Sequence, residues 1–197
     1  MGECIAANIQ DMLKAIGEEK LQRLLSDFSS PLNEEVEGFV RDKSIEFARK
    51  KLSITYLVIR RTDGGEIVLA GIFTLAHKAV EVTNTNISNT ARRKLERYAR
   101  LDKETDKYNV SAFLIAQFGK NSAVPGEWKI TGNELMDLTF EILKHVQYYV
   151  GGGLVYLDCE EIDKVLEFYQ SAYNRFKRFG ERSESEGKIY LQLLRFF

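Results

Sequence analysis

The chain has 197 residues, of which 44% are hydrophobic and 29% are charged. Such a length and composition are typical of a globular protein with one sizeable core, in one domain or at most two small ones. The 28 Lys and Arg side chains are balanced by 29 Asp and Glu, so the net charge of -1 excludes a general attraction to nucleic acid or to an acidic membrane. Any basic surface must be local.

Cysteine content and hydropathy narrow the class further. Two cysteines, Cys4 and Cys159, are too few for a disulfide framework or a cysteine metal site. No apolar run reaches the roughly 18 to 20 residues of a membrane span. Glu3 and Asp11 stand where a signal peptide needs positive charge and a long apolar run. We therefore expect a cytoplasmic protein without a metal.

The first quarter of the chain is predicted to be helical. Residues 5–25 place apolar side chains at helical spacing with a break near Gly17, so residues 1–26 form a helical lead-in. Asn33 is a suitable N-cap for a second helix, whose first turn is acidic, as the helix dipole prefers. We expect that helix to end near Lys51.

Strands and helices then alternate. Residues 54–60 and 67–76 are predicted to form a hairpin around a tight turn at Asp63-Gly64-Gly65. The remaining elements are predicted, in chain order, as a buried strand (110–118), a long amphipathic helix (133–149), a buried strand (154–159), a helix (163–173) and a strand pair (176–179 and 189–194). This order predicts an α/β or α+β fold, with residues 1–197 as one domain.

A short helix within residues 87–100 carries five basic side chains: Arg92, Arg93, Lys94, Arg97 and Arg100. A charge run of this kind is most often a solvated face, here with Leu95 and Tyr98 packing inward. Five cations within about two turns also create a strong local potential, which suits an anion or a nucleic acid. The sequence leaves both interpretations open.

The second half of the chain contains a strand that leads through a glycine-containing loop into a helix. The first backbone N–H groups of a helix lack internal partners and bind phosphate well. Gln117-Phe118-Gly119-Lys120-Asn121 ends the strand, Thr131-Gly132-Asn133-Glu134 starts the helix, and Phe168-Tyr169 follows one element later. These residues, in this order, resemble the GCN5-related N-acetyltransferase family across nearly the whole chain. The family implies a mixed central sheet whose middle strands splay apart, flanked by helices.

The front half resembles one branch of that family, the branch with the TacT-type toxin acetyltransferases. The resemblance is carried by Asp27-Phe28, Leu32-Asn33, residues 55–58 and residues 69–75. Members of this branch acetylate the amino group of aminoacyl-tRNA. The resemblance therefore implies acetyl coenzyme A as donor and a primary amine as acceptor, with direct attack and no covalent enzyme intermediate.

The resemblance also implies site residues. Tyr169 matches the family tyrosine that protonates the departing thiolate, and Tyr173 is a rival acid. The oxyanion donors are expected among the backbone N–H groups of Phe118, Gly119 and Lys120. The diphosphate is expected on the backbone N–H groups of Thr131, Gly132, Asn133 and Glu134, with help from Lys120 or Lys129. The chain departs from the family in keeping only Gly132 of the glycine-rich loop and in having a longer loop over residues 120–131.

Several alternatives stay open from the sequence. Aminoacyl-tRNA, bound through the five cations of residues 92–100, is the narrower choice of acceptor, and a non-catalytic module that holds acyl coenzyme A is the alternative to an enzyme. His77 and His145 are weak candidates for acid–base chemistry. A homodimer is one assembly that the sequence leaves open.

Overall fold

The computed structural model describes residues 4–61, 67–184 and 187–197. The predicted turn at Asp63-Gly64-Gly65 lies outside the described residues. The helices and strands, in chain order, are β1 (Cys4–Asn8), α1 (Ile9–Ile16), α2 (Glu18–Ser26), α3 (Glu34–Gly38), a π-helical turn (Phe39–Lys43), α4 (Ser44–Arg49), β2 (Ile54–Arg61), β3 (Ile67–Thr83), α5 (Asn89–Leu95), β4 (Leu101–Asp102), β5 (Lys107–Lys120), α6 (Gly132–Val150), β6 (Leu154–Glu160), α7 (Asp163–Gln170), β7 (Lys177–Ser183) and β8 (Ile189–Phe196).

The described strands form one mixed sheet of eight, in the order β1-β2-β3-β5-β6-β8-β7, with β4 paired to β5. The β5–β6 pair is parallel, whereas the pairs β1–β2, β2–β3, β4–β5, β6–β8 and β7–β8 are antiparallel. The predicted mixed α/β fold is confirmed. The chain folds into two compact units, Met1–Ala76 with Ala116–Ile142, and His77–Ile115 with Leu143–Phe197. The single domain over residues 1–197 stays a prediction.

The first unit begins with a strand, so the helical prediction for residues 5–25 is wrong at its start. In β1, Ile5 lies opposite Ile59 of β2. Pairing there satisfies backbone groups of β2 that would otherwise form an open edge. The first helix starts only after Asn8, whose side chain accepts a hydrogen bond from the Gln10 N–H at 2.9 Å. The predicted break at Gly17 is confirmed, since that residue has a φ of 80°.

The helix predicted after Asn33 is confirmed, with one irregularity. The Asn33 side chain accepts a hydrogen bond from the Val36 N–H at 3.1 Å and so caps α3. A π-helical turn over Phe39–Lys43 separates α3 from α4. These helices pack on β2 and β3 around a core that buries, among others, Leu21, Leu25, Phe28, Val40, Leu57 and Ile72.

The second unit has its own core, built around Leu95, Tyr108, Val110, Leu154, Tyr156 and Phe179. Its predicted helix over residues 87–100 is shorter in the structure, with Ser88 accepting a hydrogen bond from the Ala91 N–H at 3.2 Å as the N-cap of α5. The predicted C-terminal strand pair is confirmed as β7 and β8.

The helix predicted over residues 163–173 ends three residues early, at Gln170. The reason is the turn that follows it. The buried Asn174 side chain donates from Nδ2 to the Phe168 carbonyl at 2.8 Å, and Arg175 adopts a left-handed φ of 58°. A side chain that bonds the backbone in this way competes with the helical ladder and ends it.

Candidate functional site

The N-terminus of α6, in the first unit, is closed by its own side chains. The Thr131 N–H donates to Glu134 Oε2 at 2.8 Å, and the Glu134 N–H donates to Thr131 Oγ1 at 3.1 Å. This reciprocal pair is a capping box. Two of the four N–H groups expected to receive a diphosphate are therefore already engaged, and a carboxylate occupies the position that suits an anion.

The same contacts hold Glu134 in its charged form. The hydrogen bond from the Thr131 N–H, that from the Thr131 hydroxyl, and the nearby Arg60 guanidinium lower the pKa of Glu134 below its ordinary value. Because its folded-state pKa is lowered, Glu134 stabilises the fold above its unfolded-state pKa, and this contribution is lost as the pH falls through the folded value. Arg60 is itself 4% exposed, with its Nε donating to Cys4 Sγ at 3.1 Å.

The end of β5, where the oxyanion donors are expected, is tightly packed within the first unit. A Cβ atom on Gly119 would lie 3.2 Å from Val36 Cγ1 and 3.3 Å from Phe28 Cζ. A Cβ atom on Gly71 would lie 3.0 Å from the Gly119 carbonyl oxygen. Only glycine fits at Gly71 without a shift of backbone, so the strand end is held in a defined position.

Asn121 anchors this strand end and was not singled out by sequence. Its side chain is 4% exposed and makes four hydrogen bonds. Its Oδ1 accepts from the N–H groups of Ser29, at 2.9 Å, and Ala123, at 3.1 Å. Its Nδ2 donates to the carbonyls of Asp27, at 3.2 Å, and Leu69, at 2.9 Å. The sequence does not indicate such a role, because three of the four partners lie 52 to 94 residues away in the chain.

The two lysines expected to assist the diphosphate are exposed. In the part of the chain that the structure describes, neither Lys120 nor Lys129 forms a side-chain hydrogen bond or ion pair. Both remain available to an anion. Their role stays a prediction.

The parallel ladder between β5 and β6 is short. Among the described residues it contains the pairs Phe113↔Val155 and Leu114↔Tyr156. β6 continues to Glu160 with β8 as its antiparallel partner on the other side. The edge of β6 beyond Tyr156 therefore has backbone groups without described ladder bonds to β5.

Tyr169, in the second unit, lies in an aromatic cluster. Its ring meets those of Phe168 and Phe176 edge-on, with centroids 5.0 and 5.8 Å away. Its carbonyl accepts a hydrogen bond from the Phe176 N–H at 3.0 Å. Burial, and to a smaller extent Cys159 on β6, raise the pKa of the Tyr169 phenol above its ordinary value. The phenol is therefore protonated at neutral pH, as a general acid must be.

Cys159 is a buried neighbour of this tyrosine rather than a nucleophile. Burial, together with Asp158 and Glu160, raises the pKa of the Cys159 thiol to about 11. A thiol with so high a pKa holds little thiolate at neutral pH. The rival acid Tyr173 lies after α7 and is 51% exposed.

The histidines are both exposed. His77 packs edge-on against the Phe113 ring at a centroid distance of 5.3 Å, and His145 lies on the C-terminal half of α6. Among the described residues, no three His, Cys, Asp or Glu side chains are grouped as metal ligands.

The five cations of residues 92–100 separate into three environments. Arg92 turns towards the protein, where its Nη2 donates to the Asn84 carbonyl at 3.2 Å. Lys94 lies over the Phe196 ring, with Nζ 5.5 Å from the centroid. Arg93, Arg97 and Arg100 are exposed. Leu95 is fully buried as expected, whereas Tyr98 is 45% exposed.

Comparison with solved structures finds the same fold in several proteins. A protein described as a bacterial toxin matches at 16% identity and a TM-score of 0.61, over 100% of this chain and 92% of that one. AtaTR bound with acetyl coenzyme A matches at 15% identity and a TM-score of 0.59, over 98% and 93% of the two chains. AtaT complexed with acetyl-methionyl-tRNA matches at 14% identity and a TM-score of 0.58, over 85% of each chain.

Identities this low show a common fold. The resemblance to the fold of the GCN5-related N-acetyltransferases is thus confirmed. No protein-family model matches the sequence, and no curated protein matches it significantly. No helix in the described ranges is long and apolar enough to cross a membrane.

Proposed function

We propose that this protein is an N-acetyltransferase that moves an acetyl group from acetyl coenzyme A to a primary amine. The observation that carries the proposal is the fold, with a parallel β5–β6 ladder limited among the described residues to Phe113↔Val155 and Leu114↔Tyr156. The structural neighbour AtaTR was solved with acetyl coenzyme A, which supports the choice of donor.

Two features of the chain fit this donor. The edge of β6 from Leu157 to Glu160 offers backbone groups that suit the amides of a pantetheine chain. The N-terminus of α6 suits a diphosphate, once the Glu134 carboxylate has moved off the Thr131 N–H. Acetyl coenzyme A supplies the activated acyl group.

The residues of the chain then have assigned roles. The backbone N–H groups of Phe118, Gly119 and Lys120 are proposed to stabilise the developing oxyanion. Tyr169 is proposed to donate its phenolic proton to the departing sulfur as the amine attacks the carbonyl directly. The raised pKa keeps the phenol protonated at neutral pH, and the proton that the attacking amine loses on forming the amide restores the phenol after each turnover.

Calorimetry with acetyl coenzyme A tests the proposal, and a variant at Glu134 makes the test more specific to the α6 N-terminus. We expect the wild-type protein to bind the cofactor and Glu134→Gln to bind it roughly fivefold more tightly, since removing a like charge close to a phosphate is worth about 1 kcal/mol. Glutamine retains the capping box, so the fold should be unaffected. Glu127→Gln, an exposed carboxylate in the preceding loop, is the matched control. Absence of binding by folded wild-type protein would refute the proposal.

We propose aminoacyl-tRNA as the acceptor. Two observations support it: the complex of AtaT with acetyl-methionyl-tRNA, and the exposure of Arg93, Arg97 and Arg100 beside one another on and after α5. Exposed cations without ion pairs suit a phosphate backbone.

Reversing two of these charges tests whether the acceptor is tRNA or a small amine. The double variant Arg93→Glu with Arg97→Glu should bind tRNA at least tenfold more weakly in a filter or mobility-shift assay. Its affinity for tRNA should also fall less steeply as the salt concentration rises. Lys20→Glu with Lys144→Glu changes the net charge equally at exposed positions elsewhere. Equal tRNA binding by both double variants would contradict the choice of acceptor and leave acetyl transfer to another amine untouched.

A non-catalytic module that holds acyl coenzyme A is the second candidate. The observation that favours it is the burial of Tyr169, which raises the pKa of its phenol and makes it a weak proton donor to a departing thiolate. Tight binding of acetyl coenzyme A without turnover against any amine or tRNA pool would support it.

A further inference from the structure

A groove in the second unit lies outside the residues assigned to acetyl transfer. Its volume is about 650 Å³, which lies within the range of small-molecule sites, roughly 300 to 1,000 Å³. One wall comes from the segment before and within α5, and the other from β7, β8 and the turn before β7. The described lining residues are Asn86, Ile87, Ser88, Thr90, Ala91, Lys94, Arg175, Lys177, Arg178, Leu194, Arg195 and Phe196.

The charge of this lining is of one sign. It contains five cations, Lys94, Arg175, Lys177, Arg178 and Arg195, and no Asp or Glu among its described residues. Of the five, only Lys94 belongs to the basic run that the sequence points to. The other four come from β7, β8 and the turn, and converge only in the folded protein.

Contacts with the rest of the unit hold several of these cations in place, and one of these contacts is with a carboxylate. Arg195 donates from Nη1 to the Asn174 carbonyl at 2.9 Å, and Arg175 donates from Nε to the Ala172 carbonyl at 3.0 Å. Arg178 forms an ion pair with Glu181. Lys177 has no carboxylate within ion-pair distance in the described ranges. The carbonyl contact orients the Arg175 guanidinium and engages one of its five N–H donors.

A neighbouring groove of the same unit shows the contrast. There Lys107 pairs with Glu81 at 2.7 Å, and Arg182 pairs with Asp158 at 2.8 Å, so each cation has a carboxylate within the lining. Concentrating like charges in a confined space is unfavourable unless an anion completes it. The basic groove therefore calls for an anionic ligand with more than one negative charge.

The uncharged part of the lining restricts the chemical class of the ligand further. Ile87, Leu194 and Phe196 provide an apolar surface, and Asn86, Ser88 and Thr90 provide polar groups beside it. Phosphate suits the arginines and lysines, and a planar base suits an aromatic and apolar surface. The volume accommodates about one nucleotide.

We propose that this groove binds the phosphates and base of one nucleotide unit, either a free nucleotide or the end of a nucleic acid strand. The shared chemistry is a multiply charged phosphate next to a base. This proposal goes beyond acetyl transfer and does not depend on it, because it concerns equilibrium binding at residues of which only Lys94 belongs to the basic run considered for tRNA.

Two probes distinguish the sources of the ligand: ATP, and a short single-stranded RNA with a terminal phosphate. Binding to the full chain is measured by calorimetry for ATP and by fluorescence anisotropy for the RNA. We expect Lys177→Ala with Arg178→Ala to weaken binding by at least tenfold, the loss that corresponds to roughly one charge-assisted contact. Lys94→Ala tests the opposite wall and should weaken binding in the same direction. Lys20→Ala with Lys144→Ala is the charge-matched control and should leave the affinity unchanged.

The outcomes separate cleanly. If ATP binds and both groove variants weaken that binding, the ligand is a free nucleotide. If only the RNA binds and the same variants weaken its binding, the ligand is the end of a nucleic acid strand. The proposal is overturned if neither probe binds to the wild-type protein. It is also overturned if the groove variants and the control variant change the affinity equally. Circular dichroism confirms that each variant is folded, and Lys94→Ala keeps the test valid if the β7 variant is not. Because no acetyl transfer is measured, failure of the proposed enzyme activity leaves these readings intact.

Discussion

Replacing Tyr169 with phenylalanine is expected to lower the rate of acetyl transfer by about 100- to 10,000-fold, the usual contribution of a positioned general acid. Phenylalanine keeps the ring that packs edge-on against Phe168 and Phe176, so the aromatic cluster should be preserved. The affinity for acetyl coenzyme A should remain close to that of the wild type. Turnover is measured by release of free thiol, and affinity by calorimetry.

Tyr173→Phe is the matched control, since it removes the same hydroxyl from a residue that is 51% exposed. If the rate of acetyl transfer falls strongly in Tyr173→Phe and not in Tyr169→Phe, the general acid is Tyr173. The pH dependence of the wild-type rate is a second test of the role of Tyr169. Because the pKa of Tyr169 is raised above the ordinary tyrosine value of about 10, the wild-type rate should not fall between pH 7 and 9 through loss of this acid.

Replacing Asn121 with alanine is expected to destabilise the protein by about 3 to 5 kcal/mol. The change deletes four side-chain hydrogen bonds at a site that is 4% exposed. It leaves two backbone N–H groups and two carbonyls without these partners. The bond to the Leu69 carbonyl is buried and the other three are partly buried, and an unsatisfied buried group costs about 1 to 3 kcal/mol. Denaturant unfolding measures the loss.

Asn121→Asp separates the two halves of this network. Aspartate keeps an acceptor for the N–H groups of Ser29 and Ala123 and loses the donors to the carbonyls of Asp27 and Leu69. We expect a loss of stability at least as large, because a carboxylate then faces two carbonyl oxygens in a buried site. Ser122→Ala, at the exposed neighbour, should change stability by less than about 0.5 kcal/mol. A stability equal to wild type in Asn121→Ala would show that the strand end is held by other contacts.

Much of the fold follows from local patterns. The helix α6 and the buried strand β6 were predicted within one residue of their observed bounds, because an amphipathic stripe and a short apolar run are strong local signals. The strand predicted over residues 110–118 is longer in the structure, as β5 (Lys107–Lys120). The Asn33 cap followed from the preference of a short polar side chain for the first turn of a helix. Errors occurred where a partner outside the predicted element decided the structure. Residues 4–8 became a strand because the edge of β2 was open to them, and α7 ended early because Asn174 bonds back to Phe168.

The sequence by itself predicted the mixed α/β fold and the order of its elements apart from β1 and β4, since these depend on periodicity and capping along the chain. Tyr169 and Thr131–Glu134 became candidates through the resemblance to the N-acetyltransferase family. Only the tertiary structure decided that Glu134 closes the α6 N-terminus, that Asn121 joins three segments and that four cations of β7, β8 and the preceding turn share a groove with Lys94. The physical reason is that a hydrogen bond or a local electric potential depends on distance in space. Residues far apart in the chain become neighbours only when the strands pair and the cores close.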